Sequence, residues 1–365
     1  MPALVSNHPP VRRWIPAPVT KEENIDWADL TFVDLARAKT PEGRAEQVRL
    51  ARDATHRQGF FYVVNHGLDQ AIVDRMVDIA ALAFDDVSEE EKLRYQARMK
   101  ETGEYLGYKL PQYWHIANGV KDRIEHYNFP RDTSRRDHPT VLRPFLPEIQ
   151  RMIEFTHCEV LNEVQKLLSL GLELPENALP DLHPFDETNH SFWRFMLYNP
   201  RTQEEEEKTN NIWMKGHADH MSFTAIWSQP VTALQIKDWD GQWRYVRHVE
   251  NALVINCGDS TEYLSGGYYK SAVHRVVKPP ADQEGYRRLG LLYFHYMKDD
   301  ALIAPLLESP VVQREGITKS ISGDPPTQET WRKNRTAVYG VSQLQRGEDG
   351  TEYEIVNGVR VTHYN

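Results

Sequence analysis

Hydrophobic patterning changes character near residue 190. Upstream, apolar residues recur at helical spacing: Val48, Leu50 and Ala51 in the charged stretch 41–58; Ile72, Val73, Met76, Ile79 and Ala80 after Asp69; and Ile149, Ile153, Val160, Val164, Leu167 and Leu168 within 142–173. A 3.6-residue period puts each set on one face, which predicts three helices. Asp69 is placed to cap the second of them. Ser88 followed by Glu91 predicts a capping box opening a further short helix. Two strands are expected here, Thr31–Leu35 and the aromatic, β-branched run from Gly59 to the turn at Gly67.

Downstream, short β-rich runs alternate with turns at 192–198, 221–228, 233–238, 243–248, 252–256, 272–278 and 288–296. Many short strands at regular spacing predict a sandwich or barrel. Asp240-Gly241 marks a hairpin between Leu234–Lys237 and Trp243–Val246, and Asn357-Gly358 marks a second near the end. Residues 298–308 and 325–335 are expected to be helical. The pattern divides into an arm (1–30), a helix-rich part (31–190), a β-core (191–300) and C-terminal helices with a hairpin (301–365). No flexible linker separates them. One fold, mainly β with flanking helices, is expected rather than two domains.

Composition narrows the class of function. The 365 residues carry a net charge of −10, which argues against nucleic acid as a partner. The run Glu204–Glu207 is read as a solvated loop. Two cysteines, Cys158 and Cys257, offer no disulfide framework and no thiolate metal site. Their apolar surroundings predict core thiols. Prolines and charges break up the N-terminus, and no apolar stretch is long enough to span a bilayer. A soluble, cytoplasmic monomer without membrane partners is the expectation.

Candidate chemistry concentrates in two places. His217 and Asp219 lie in Gly216-His217-Ala218-Asp219-His220, and His274 lies in Lys270-Ser271-Ala272-Val273-His274-Arg275-Val276. Side chains two apart on a strand point the same way, so His217 and Asp219 can share a metal if their stretch is extended. Two imidazoles and one carboxylate on one face of an octahedral metal suit non-haem Fe(II) and oxygen chemistry. His220 would alternate to the other face as a structural residue. Asp259 is read as a turn or supporting residue, and His66 and His248 as satisfied core or surface histidines.

The order and spacing of several segments resemble the Fe(II)/2-oxoglutarate-dependent dioxygenases, the isopenicillin N synthase-like group. They are His217-Ala218-Asp219, Leu234-Gln235-Ile236, Asp240-Gly241-Gln242-Trp243, Asn256-Cys257-Gly258-Asp259 and Tyr269–Val276. Gly59–Gly67 is similar to a strand of the same family. The resemblance covers roughly residues 30–300. It implies a distorted double-stranded β-helix (a jelly roll), Fe(II) held by His217, Asp219 and His274, and 2-oxoglutarate and O2 as co-substrates.

In that family an arginine forks onto the distal carboxylate of 2-oxoglutarate, a bidentate geometry lysine cannot copy. The resemblance assigns this to Arg288, with Arg287 as the alternative, and assigns a further contact to Tyr198. Two positions depart from the family pattern. Gly290 stands where serine is usual and Met196 where asparagine is usual. Each change removes one polar contact to the co-substrate unless water or another side chain supplies it. Phe294, Phe223, Tyr105, Tyr113 and Trp114 are the candidate substrate walls. With no strong cationic cluster evident near the site, the expected substrate is a medium-sized secondary metabolite of low charge. Its oxidation would be a hydroxylation, desaturation or cyclisation. Three rival readings are weighed: an iron-dependent oxidase of the same fold that does not use 2-oxoglutarate, a binding protein that has lost the chemistry, and a zinc hydrolase on a β-barrel, which would need a nearby general base that the sequence does not identify.

Overall fold

The computed structural model describes residues 9–186, 188–321, 323–338, 345–346, 352–356 and 359–363. Its centre is an eight-stranded sheet in the order Phe32–Asp34, Phe60–Val64, Leu253–Cys257, Phe223–Trp227, Arg288–His295, Phe192–Tyr198, Ile124–Pro130 and Gly107–Lys109. A second sheet has the order Trp243–Tyr245, Leu234–Lys237, His274–Val277 and Ile212–His217. Phe32–Asp34 runs parallel to Phe60–Val64; the other pairings of both sheets are antiparallel. Strands from both halves of the chain share the large sheet, so the protein is a single domain, an open jelly roll with helices on one side.

The large sheet is buried on both faces, which explains why its strands read as nearly continuous apolar runs. Along Phe192–Tyr198, Trp193, Phe195 and Leu197 enter the core beneath the helices, whereas Met196 and Tyr198 enter the core between the sheets. The same alternation runs along Phe223–Trp227 and Arg288–His295. It fixes which side chains can reach a site between the sheets.

The predicted helices form at Pro41–Arg57, Gln70–Asp85 and Glu89–Arg94. Thr40 caps the first, accepting from Gly43 N. Asp69 occupies the cap position of the second, but its side chain makes no cap bond. Ser88 accepts from Glu91 N; the Glu91 carboxylate does not return the bond and accepts from Thr140. The helix expected at 142–173 is helical from Leu146 to Gly171 and carries a π-helical segment, Phe155–Leu161. That segment turns His157 inward onto the Tyr293 hydroxyl at 2.8 Å and leaves Cys158 exposed, so only Cys257 is a core thiol.

Other expectations are corrected. Ile124–Pro130 is a fully buried strand inside the helix-rich part. Glu204–Glu207 belongs to a helix, Gln203–Lys208, with a complete capping box between Thr202 and Glu205. Its Glu206 is buried and accepts from the Trp213 indole at 2.8 Å. Residues 298–308 form turns and a bridge between Leu302 and Thr327 rather than a helix; the C-terminal helix is Gln328–Val338. Both hairpins form, although Asn357 and Gly358 lie outside the described residues. No helix among the described residues is long and apolar enough to cross a membrane.

Candidate metal centre and its cavity

His217 is the last residue of Ile212–His217 and His274 the first of His274–Val277, and the two are direct cross-strand partners. Their rings lie 4.4 Å apart. Asp219 lies beyond the strand, in the turn that follows it, so a turn rather than strand alternation brings it to the histidines. All three are buried, and their ligand atoms lie within 4.8 Å of one another. His217 Nε2 stands 3.6 Å from Asp219 Oδ1, and His274 Nε2 stands 4.0 Å from Asp219 Oδ2.

The hydrogen bonds around this cluster aim its lone pairs. His217 Nδ1 meets the Lys215 carbonyl at 2.8 Å and His274 Nδ1 meets the Ala272 carbonyl at 3.2 Å. A carbonyl only accepts, so each Nδ1 carries the proton and each Nε2 presents a lone pair inward. Asp219 Oδ2 accepts from Thr224 Oγ1 at 2.6 Å and from Asn256 Nδ2 at 2.7 Å. Burial pushes the Asp219 carboxyl up, but His274, His217 and the Thr224 bond outweigh it and hold it below the usual carboxylate range. Two imidazole lone pairs and a carboxylate converging in a buried space form a donor set suited to a divalent cation.

Backbone bonds pin the turn that carries Asp219. Asp259 N donates to the Asp219 carbonyl at 2.7 Å, and Gly258 N donates to the Ser222 carbonyl at 2.9 Å. The Trp331 indole and Ser260 Oγ both donate to the His220 carbonyl. Gly258 permits this close approach. A Cβ there would stand 2.1 Å from the Met221 carbonyl oxygen and 2.8 Å from that of Asp219. Gly258→Ala is therefore expected to displace the turn and cost about 1–3 kcal/mol. Melting temperature and Mn(II) affinity, measured together, should both fall; wild-type metal affinity in the variant would disprove the role given to this glycine.

A cavity of about 70 Å³ opens beside the cluster, between the sheets. Arg288, Tyr198, Phe294, Tyr105 and Trp114 line it, as expected from the sequence. Phe223 does not: Thr224 and Ile226 take the inward positions of its strand, and Phe223 packs under the helices. Tyr113 is not among the lining residues either; it packs half-buried against the inter-sheet core, next to the inward-turned Trp114. His220 does line the cavity, because the turn breaks the alternation that would have pointed it away. Its Nε2 meets the Tyr296 hydroxyl at 2.8 Å, and burial, followed by nearby Arg335, pushes its pKa down to about 3.

Arg288 is buried, its Nε has no hydrogen-bond partner, and no carboxylate among the described residues pairs with it. It faces Tyr198 across the strands, 5.2 Å from the ring centroid. Burial pushes the Tyr198 hydroxyl up to about 12 and lowers the Arg288 pKa. Arg287 points outward instead, forking onto Asp85 at 2.6 and 3.1 Å.

Sequence reasoning missed three participants. Thr224 and Asn256 orient Asp219; a polar Asn closing the apolar run Leu253-Val254-Ile255 was the available signal. The third is Arg194, buried in the cavity wall, with Nε donating to Asn128 Oδ1 at 2.8 Å and its guanidinium 4.4 Å from the Phe294 ring centroid. Burial lowers its pKa to about 10.

Residues 30–148 match the family described as non-haem dioxygenase in morphine synthesis, N-terminal, and residues 188–295 match the 2OG-Fe(II) oxygenase superfamily. The two matches together span more than half of the chain. The chain belongs to the 2-oxoglutarate/Fe(II) oxygenases. It is therefore an oxidoreductase using Fe(II), 2-oxoglutarate and O2, and the rival readings give way to it. Among its relatives, jasmonate-induced oxygenase 4 of Arabidopsis thaliana is 28% identical over 77% of each chain. Gibberellin 20 oxidase 1-B of Triticum aestivum is 29% identical over 73% of this chain and 70% of that one. The dioxygenase for auxin oxidation in rice shares the fold with a TM-score of 0.65 at 20% identity, over 85% of this chain and 96% of that one. JOX2 in complex with 2OG, Fe and JA gives 0.63 at 21% identity, over 88% and 89%.

Proposed function

We propose that His217, Asp219 and His274 hold the iron of this oxygenase and that Arg288 and Tyr198 take the distal carboxylate of 2-oxoglutarate. The observation that carries this reading is a complementary pair of groups facing one cavity: three inward lone pairs on one side and a buried guanidinium without a carboxylate on the other. Iron so held supplies the oxygen chemistry, coupling conversion of 2-oxoglutarate to succinate and CO2 with oxidation of a substrate C–H bond. The chain's own residues bind and orient. Thr224 and Asn256 fix which Asp219 oxygen faces the metal. Arg288 sets the reach of the co-substrate, and the apolar walls Phe294, Trp114 and Leu292 exclude water.

Gln229 supplies the polar group that Gly290 cannot offer the co-substrate. Gly290 lies on the same strand face as Arg288, and a Cβ there would stand 3.2 Å from Gln229 Nε2. That nitrogen is buried without a partner, and Gln229 and Arg288 line one small cavity. Loss of one hydrogen bond to a charged group costs about 1.5–3 kcal/mol. Gln229→Ala should thus weaken 2-oxoglutarate by roughly tenfold or more. It should leave 2-oxobutyrate, which lacks the distal carboxylate, unchanged, and adding Gly290→Ser should restore part of the affinity. Equal effects on both keto acids would refute the assignment.

The substrate is proposed to be a medium-sized secondary metabolite, handled by a cytoplasmic monomer with neither nucleic acid nor membrane as partner. The apolar cavity, the acidic net charge and the relatives' names support this. Anaerobically prepared Fe(II) protein should consume O2 and release succinate only when 2-oxoglutarate is supplied. Oxygen uptake with candidate metabolites but without 2-oxoglutarate would sink the reading.

A further inference from the structure

A second cavity, of about 240 Å³, adjoins the first. Tyr105 and Phe192 line both, so these two rings form the shared wall. Small-molecule sites usually measure about 300 Å³ or more. The metal-side cavity holds about 70 Å³, too little for a co-substrate and a medium-sized substrate together. The two spaces reach that range together, and neither reaches it alone.

The chemistry of the second cavity is distinct. Arg131, Arg135, Arg136 and Arg332 line it, against one carboxylate, Glu104. Glu104 lies 3.5 Å from His190 Nδ1, and His190 Nε2 lies 3.3 Å from Asp299, so the acidic groups here are engaged with the histidine. Arg135 stands 3.7 Å from Asp132, a carboxylate outside the cavity. Arg332 is buried; it donates to the Gly103 carbonyl, and its Nε has no partner. Neither Arg332 nor Arg136 pairs with a carboxylate among the described residues. Concentrating one sign of charge in a recess with apolar walls raises the local concentration of the opposite sign. Planar guanidinium forks match carboxylate and phosphate oxygens.

We propose that this cavity is an anion subsite that takes a carboxylate or phosphate group of the substrate, carried away from the carbon oxidised on the other side of Tyr105 and Phe192. The inference rests on the reading of the first cavity as the reaction site, and it replaces the low-charge substrate expected from the sequence. The sequence places Arg131, Arg135 and Arg136 close together, but only the fold sets them beside Tyr105, Phe192 and Arg332.

The test uses the full chain loaded with Mn(II) and saturated with 2-oxoglutarate, titrated calorimetrically with inorganic phosphate. One phosphate should bind per chain. Binding should weaken at least tenfold in Arg136→Gln and in Arg332→Gln, and should be unchanged in Arg49→Gln, a remote exposed control. No phosphate binding by the wild-type protein, or binding that survives both cavity variants, would overturn the proposal. Arg136→Gln keeps the test valid should Arg332→Gln fail to fold. A separate calorimetric titration of the Mn(II)-loaded chain with 2-oxoglutarate reports on the reaction-site reading, so the two can fail independently.

Discussion

His274→Ala is expected to abolish metal binding and succinate formation together, with the secondary structure retained. The ring leaves a small gap beside Phe60, which it meets edge-on with centroids 5.8 Å apart, and its loss frees the Ala272 carbonyl. Asp219 is a different case. Its carboxylate satisfies the buried hydroxyl of Thr224 and the buried amide of Asn256. Asp219→Ala orphans the Asn256 amide at about 1–3 kcal/mol and leaves Thr224 only a weak bond to the Met221 sulfur, so loss of iron and loss of stability would be mixed. Asp219→Asn keeps an oxygen for these donors and removes the charge that faces the metal. Calorimetric titration with Mn(II), paired with thermal melts with and without metal, separates the effects. Wild-type protein should melt higher with metal, since a ligand that binds only the folded state stabilises it. Asp219→Asn and His274→Ala should show no such rise. A metal-dependent shift of wild-type size in either variant would count against these ligands.

Arg288→Gln is expected to produce the second large effect. A buried guanidinium that forks onto a carboxylate is worth several ordinary hydrogen bonds, because lysine-like or neutral replacements cannot satisfy both oxygens. Truncating one partner of such a pair costs about 2–5 kcal/mol. The Kd of 2-oxoglutarate should rise on the order of 100-fold, whereas Mn(II) affinity, measured without co-substrate, should stay near wild type. The free protein should become no less stable, since the guanidinium is buried and its Nε unpartnered before the co-substrate arrives. Arg287→Gln should leave co-substrate binding alone, because that side chain is spent on Asp85 at the surface. Unchanged 2-oxoglutarate affinity in Arg288→Gln would remove this arginine from the site.

What is legible in the sequence follows from how local each signal is. His217 and Asp219 are two residues apart, and a single turn decides their geometry. The downstream strands are readable because turns such as Asp240-Gly241 punctuate them. By contrast, Ile124–Pro130 carries Glu125, His126 and Asn128, which disguise a buried strand. Glu125 is neutralised by Lys92 at 2.9 Å and Asn128 is engaged by Arg194, partners supplied from elsewhere in the chain. Alternation tells which residues share a face, not which face is inward, so nothing local shows that Phe223, a candidate wall, turns under the helices. Carried past the end of a strand, it misleads for His220 as well. Gln229 gives no local signal, and the basic cluster at 131–136 gives none that points to Tyr105: their meaning lies in neighbours brought by folding.

Anomalous diffraction at the iron edge, from crystals loaded anaerobically with Fe(II) and 2-oxoglutarate, tests the central claim most directly. One iron peak is predicted within bonding distance of His217 Nε2, His274 Nε2 and an Asp219 oxygen, with the distal carboxylate of 2-oxoglutarate on Arg288. Iron bound elsewhere, or a co-substrate carboxylate pointing away from Arg288, would contradict it.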